Sequence, residues 1–166
     1  DRAGATRGWP RRLGRAALIG AALAVCAGST QAQQTFPYRF RAGWDFLEND
    51  NDADDDVEYG HGTGEAGDHH SEANNGGGFP GFAPNSFYLP LRVGDSFIAE
   101  DGSFLQAVVY ATDLGMDFIS EALGTINSSA AGQAAVRYAY RRGVPIIASA
   151  ADEESRHHNS PANYDH

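Results

Sequence analysis

Met116-Asp117-Phe118-Ile119-Ser120-Glu121-Ala122 reads as a strand, Ser128 to Arg142 as a helix, and Val144-Pro145-Ile146-Ile147-Ala148-Ser149-Ala150 as a continuous buried strand, with short links between them. Ser128 or Ser129 can cap the helix, Ala131, Ala135, Tyr138 and Ala139 recur at helical spacing, and Arg141 and Arg142 suit the carboxyl-terminal end of the dipole. Gly143 is the expected stop. Working outward, Ser86 to Val93 is an earlier apolar strand whose Pro90 belongs at an irregular or edge position. Asp101 or Ser103 caps a helix through about Leu114, with Phe104, Ala107, Val108 and Ala111 on one face and Gly115 at its end. Strand, helix, strand, helix, strand with short links predicts right-handed crossovers and an α/β fold, a parallel β-sheet flanked by helices. Sites in such sheets lie beyond the carboxyl ends of the strands, here around Arg92, around Ala122-Leu123-Gly124 and around Ala151-Asp152.

The 166 residues suffice for one domain with a real core. All 12 basic residues are Arg against 22 acidic ones, and a net charge of −10 argues against nucleic acid or an anionic membrane surface as partner. Arg7, Arg11, Arg12 and Arg15 precede the apolar run Ala16 to Ala27 and then Gly28-Ser29-Thr30-Gln31-Ala32. That order reads as a secretory signal peptide over residues 1–32, cleaved after Ala32, and the run is too short for a transmembrane anchor. Cleavage removes Cys26, the single cysteine, and with it any thiol chemistry. Residues 33–58 are expected as a connector and acidic loop, and 59–166 as the folded part.

Ala42 to Leu47 can form a short strand. From Asp45 to Glu58 eight carboxylates fall in fourteen residues without a basic partner, which favours a solvated loop; a calcium site is the functional alternative. Tyr59-Gly60-His61-Gly62-Thr63-Gly64-Glu65-Ala66-Gly67 follows, with His61 between glycines that let the chain turn and leave the imidazole open, as a general base needs. Asp68 to Gly81 reads as a surface loop, and His69-His70 as solvent-exposed histidines rather than a metal site. His157-His158-Asn159 is read as a polar loop on the rim of the cleft.

From about Ala42 to His166 these segments resemble, in order, the middle of a subtilisin-like serine peptidase. The match is carried by Gly43-Trp44-Asp45-Phe46 with its acidic tail, His61-Gly62-Thr63 with Ala66-Gly67, Asp117 to Gly124, and Val144 to Glu153. Gly64 and Glu65 replace the second His and the Val of the family's His-Gly-Thr-His-Val-Ala-Gly. The resemblance implies that His61 is the general base, that Ala122, Leu123 and Gly124 pair with substrate backbone and form one wall of the primary specificity pocket, and that Ala150 and Ala151 form the facing wall. It places Asp152 where the family has its oxyanion-hole asparagine, in Ala-Asp-Glu instead of Gly-Asn-Glu. Ionised Asp has no hydrogen to donate, so Asp152 serves an oxyanion only when protonated, and the expected enzyme works better below neutral pH.

Two other members of the expected triad have no counterpart. No Asp-Ser-Gly or Asp-Thr-Gly precedes Gly43, and no Gly-Thr-Ser-Met-Ala follows Asp152. A histidine without nucleophile or orienting acid does not run acyl transfer, so the sequence leads to an inactive, incomplete segment of a secreted endopeptidase acting on polypeptides. Cofactors are not required for that chemistry, although calcium could bind the acidic loop. The alternative is a secreted non-catalytic α/β module whose acidic segment holds calcium. A phosphate-binding domain fits poorly, since no glycine-rich loop joins a strand to a helix.

Overall fold

The computed structural model describes residues 15–20, 43–55, 60–84, 86–95, 99–151 and 156–165. Five strands run through these residues: β1 (Arg15–Gly20), β2 (Trp44–Asp45), β3 (Phe87–Arg92), β4 (Phe118–Glu121) and β5 (Ile146–Ala148). Three helices lie between them, α1 (His61–His70), α2 (Asp101–Asp113) and α3 (Ala130–Arg141). All strand pairings are parallel, in the order β2-β3-β1-β4-β5. Each strand end therefore points toward one rim, where the sequence placed the chemistry.

The helices divide between the two faces. Leu89, Leu91 and Val93 alternate with Tyr88 along β3 and join Ile119, Leu123 and the inner residues of α2 and α3 in the main core. Tyr88 faces the other way, onto Ala66 of α1. Helix α2 buries Phe104, Ala107, Val108 and Ala111 as its spacing predicts, and Gly115 ends it at φ 68°. In α3 the Ser129 hydroxyl oxygen accepts from Gly132 N at 2.8 Å, a regular N-cap. Its buried stripe is Gly132, Ala135, Val136 and Ala139. The expected stripe is thus rotated: Ala131 is exposed, and Tyr138 lies at the edge, donating to Asp113.

Four expectations need correction. The apolar run taken as a leader contributes β1, the middle strand, with Ala17 opposite both Leu89 and Ile119. A short apolar run suits a leader and a doubly buried parallel strand equally, and composition does not separate them. A chain cut after Ala32 would lack this strand. Second, residues 61–70 form a helix instead of a turn followed by a loop. Gly62, Gly64 and Gly67 each disfavour a helix by about 1 kcal/mol, so propensity hides it; burial of Gly62 and Ala66 against the sheet compensates. Third, β5 is short and half-exposed, with Ile147 at 59% accessibility, not a continuous buried strand. Fourth, Asp45 leaves the acidic run for the interior, where it meets Arg92.

Pro90 sits where β2 does not reach. The β2 register covers only Leu91 and Arg92, so at Pro90 β3 is locally an edge on that side, as its missing N–H requires.

Candidate active site

His61 opens α1, directly after Gly60, whose φ of 56° is left-handed and easy only for glycine. The helix has no side-chain cap from its own N-cap residue, and Asp55 supplies one from the acidic loop. One Asp55 oxygen, Oδ2, accepts from Thr63 N at 3.1 Å and from Thr63 Oγ1 at 3.0 Å. A carboxylate here satisfies an orphan amide and complements the positive end of the helix. Part of the acidic run is therefore structural: Asp45 and Asp50 form a two-bond bridge at 2.9 and 3.2 Å, Ala53 is buried, and Asp55 holds the His61 helix. Asp55→Ala is expected to cost about 1 kcal/mol in urea unfolding and to shift the Thr63 amide resonance.

The imidazole reaches across to the end of β4. His61 Nε2 lies 2.7 Å from Ala122 O, joining positions 61 residues apart. A carbonyl only accepts, so Nε2 carries a proton in this contact. The base candidate and the first substrate-wall residue are thus in contact. Ala122, Leu123 and Gly124 continue from β4, with Leu123 buried.

Ser149, Ala150 and Ala151 leave β5 alongside, Ser149 N donating to Glu121 O at 3.0 Å. Ala150 and Ala151, expected as the facing wall, are exposed. Ala151 stands at φ 68°, a left-handed conformation costing an alanine about 1 kcal/mol. This gives the Ala-for-Gly departure a physical content. Ala151→Gly is expected to stabilise the chain by about 0.5–1 kcal/mol in denaturant midpoints, and no gain would mean the turn relaxes. Asp152, the oxyanion candidate, lies outside the described residues, as do residues 153–155.

One residue, read from the sequence only as part of the rim loop, has a more specific place. Asn159 sends its amide between the two walls, donating from Nδ2 to Ser149 O at 2.8 Å while resting on Gly124, where a methyl group would overlap it. Thr125 and Ser160 bridge antiparallel beside it, at 3.0 and 2.8 Å. Its only sequence signal was the Gly124 that makes room for it.

His70 is engaged on the opposite face of the sheet, beside Tyr88. His70 stacks on Tyr88 at 4.8 Å and shares a 2.8 Å hydrogen bond with Ser86 Oγ, which itself donates to Ala83 O. Burial, aided by the neighbouring His69, pushes His70 down to about 4. His70 is thus a neutral packing residue, partly buried instead of solvent-exposed. His157 and His158 are exposed. Among the described residues no three His, Cys, Asp or Glu side chains are grouped to hold a metal ion.

Known proteins resemble this chain in sequence and in fold. The Subtilase family profile matches residues 18–166. A thermophilic serine proteinase of Bacillus sp. (strain AK1) is 34% identical over 128 residues, 74% of this chain and 30% of that protein. Thermitase of Thermoactinomyces vulgaris is 34% identical over 125 residues, 74% of this chain and 43% of its own. The chain thus spans less than half the length of these relatives. Among solved structures, fervidolysin of Fervidobacterium pennivorans, a keratinolytic enzyme related to subtilisin, superposes with a TM-score of 0.70 at 21% identity, over 91% of this chain and 23% of its own. A cold adapted subtilisin-like serine proteinase gives 0.65 at 24%, over 89% and 50%. At these identities the two structures speak for the fold alone.

Proposed function

This chain belongs to the Subtilase family, and from that premise we propose that it is the segment of a secreted serine endopeptidase that carries the general base and the substrate-binding strand. The observation that carries the reading is the 2.7 Å contact of His61 Nε2 with Ala122 O. It sets the ring at the head of the strand on which an extended peptide would lie. In the complete reaction His61 takes the proton from a serine hydroxyl as that oxygen attacks the peptide carbonyl, then returns it to the leaving amine.

The same contact supports inactivity of the chain alone. The nitrogen turned toward the substrate strand already holds a proton, so it cannot take one. Placing the proton on Nδ1 is the task of an orienting carboxylate, and between Gly20 and Asp45 the sequence has neither Asp nor Glu.

Four measurements test this. Titrated with an extended alanine-rich tetrapeptide, the isotope-labelled chain should show amide shifts at Ala122–Gly124 and Ala150–Ala151, and shifts confined elsewhere would overturn the reading. The chain should neither hydrolyse casein nor react with a fluorophosphonate. Protein captured from its source by an antibody to residues 125–166 should react, at a mass above 17.7 kDa. For the exported form, β1 pairs on both sides, so the mature amino terminus is expected ahead of Arg15. A terminus at Gln33 would return residues 15–20 to a leader.

A further inference from the structure

Glu121 is the last residue of β4 and only 3% exposed. Strand alternation sets its side chain between those of Ile119 and Leu123, on the face covered by α2 and α3. Neither carboxyl oxygen has a hydrogen-bond partner. Nothing in the proposed reaction uses it. Its backbone, however, is the joint of the site: Glu121 O accepts from Ser149 N at the root of one pocket wall, and the next carbonyl, that of Ala122, accepts from His61.

We infer that Glu121 is a protonation-gated positioning residue, resting on the peptidase reading above: while its carboxyl is neutral the end of β4 holds Ala122 O on the His61 ring, and once ionised that end leaves the sheet and the contact is lost. Among the described residues the groups packed on its face are uncharged. The inward residues of α2 are Ser103, Phe104, Ala107, Val108, Ala111 and Thr112, and those of α3 are Gly132, Ala135, Val136 and Ala139. On β5 it is level with Ala148, and on β1 the only ionisable residue is Arg15, at the opposite end of the strand. Arg92 is committed to Asp45 and Asp95, two strands away. Asp101 and Tyr164 line the small pocket beyond Leu123, and His61 lies on the other side of the sheet.

An unpaired carboxylate in such a place must either stay protonated or reach water. Burial accordingly raises Glu121 well above the ordinary 4.5. The folded state then binds the proton more tightly than the unfolded chain. The stabilisation is complete below pH 4.5 and is lost as pH rises toward the raised value, the folding equilibrium falling about tenfold per pH unit in that window. Glu121 is 3% exposed, so reaching water requires the strand end to move.

The test follows the full 166-residue chain from pH 4 to 9 by urea unfolding and by the nuclear Overhauser contact between the His61 ring and Ala122. Wild type should lose about tenfold in folding equilibrium per pH unit relative to Glu121→Gln. The His61 contact should fade over the same range in wild type and persist in Glu121→Gln. Every group other than Glu121 is common to both proteins and cancels in the comparison. Glu121→Met provides a second neutral side chain of similar size. Parallel stability profiles overturn the inference, as does a difference in slope with the His61 contact unchanged, which would leave Glu121 merely structural. Both neutral variants unfolded, or a wild type without a cooperative transition near pH 4.5, would overturn it too. No peptide is needed, so a failure of the peptidase reading would register in the tetrapeptide titration and not here.

Discussion

Asp45→Ala is expected to destabilise the chain by about 3–5 kcal/mol in urea unfolding, a large share of the 5–15 kcal/mol that holds a typical domain together. Asp45 is fully buried and Arg92 nearly so, with Oδ2 accepting from Nη1 at 2.8 Å. Oδ1 accepts from the amides of Leu47 at 2.6 Å and Glu48 at 3.1 Å, starting the turn after β2. Removing the carboxylate leaves a guanidinium that is 5% exposed, facing the surface carboxylates of Asp95 at 2.9 Å and Glu48 at 3.8 Å in place of a buried partner. The loss comes from stranding that charge, not from the worth of the pair. Asp45→Asn, which keeps an acceptor for the turn, should therefore recover only part of it, and replacing both residues with apolar side chains, Asp45→Leu with Arg92→Met, should cost much less than Asp45→Ala. A loss below 1 kcal/mol for Asp45→Ala would show that water reaches the guanidinium.

What the sequence made legible follows from which signals are local. The strand-helix-strand order of residues 101–148, the Ser129 cap and the stop at Gly115 are written in adjacent residues, and the structure repeats them. The pairing of His61 with Ala122 was legible only through resemblance, since no local pattern connects them. Helix α1 was hidden because its glycines answer to the sheet beneath them, not to helix propensity. Composition also misled at Asp45, which looked like one more charge in a solvated run although it stands level with Arg92 across β2 and β3. Glu121 was the opposite case, available and overlooked: alternation from Ile119 to Leu123 already placed a carboxyl on the core face. Asn159 depends on a chain crossing, and sequence carries no sign of that beyond Gly124.

Gly43→Ala should cost about 1–3 kcal/mol although it adds a single methyl group. That methyl would lie 2.7 Å from both the Pro90 carbonyl oxygen and its Cγ, and 2.8 Å from Ala53 Cβ. The carbonyl belongs to the β3 backbone and cannot swing aside, so relief must come from β2 lifting away or from Ala53 moving out. Lifting β2 breaks the register of Trp44 with Leu91 and Asp45 with Arg92, and so opens the same ion pair that Asp45→Ala removes. The two substitutions then share one loss, and the double variant should be more stable than the sum of the singles predicts, by 0.5 kcal/mol or more. Displacing Ala53 instead pulls on Asp55 two residues later, which caps the helix that begins at His61. The Thr63 amide resonance distinguishes the routes. It moves if Ala53 yields, and stays in place with additive energies absent if β2 yields. An additive double variant with an unmoved Thr63 would mean that the strand edge absorbs the methyl locally, and that the acidic loop does not connect the core to His61.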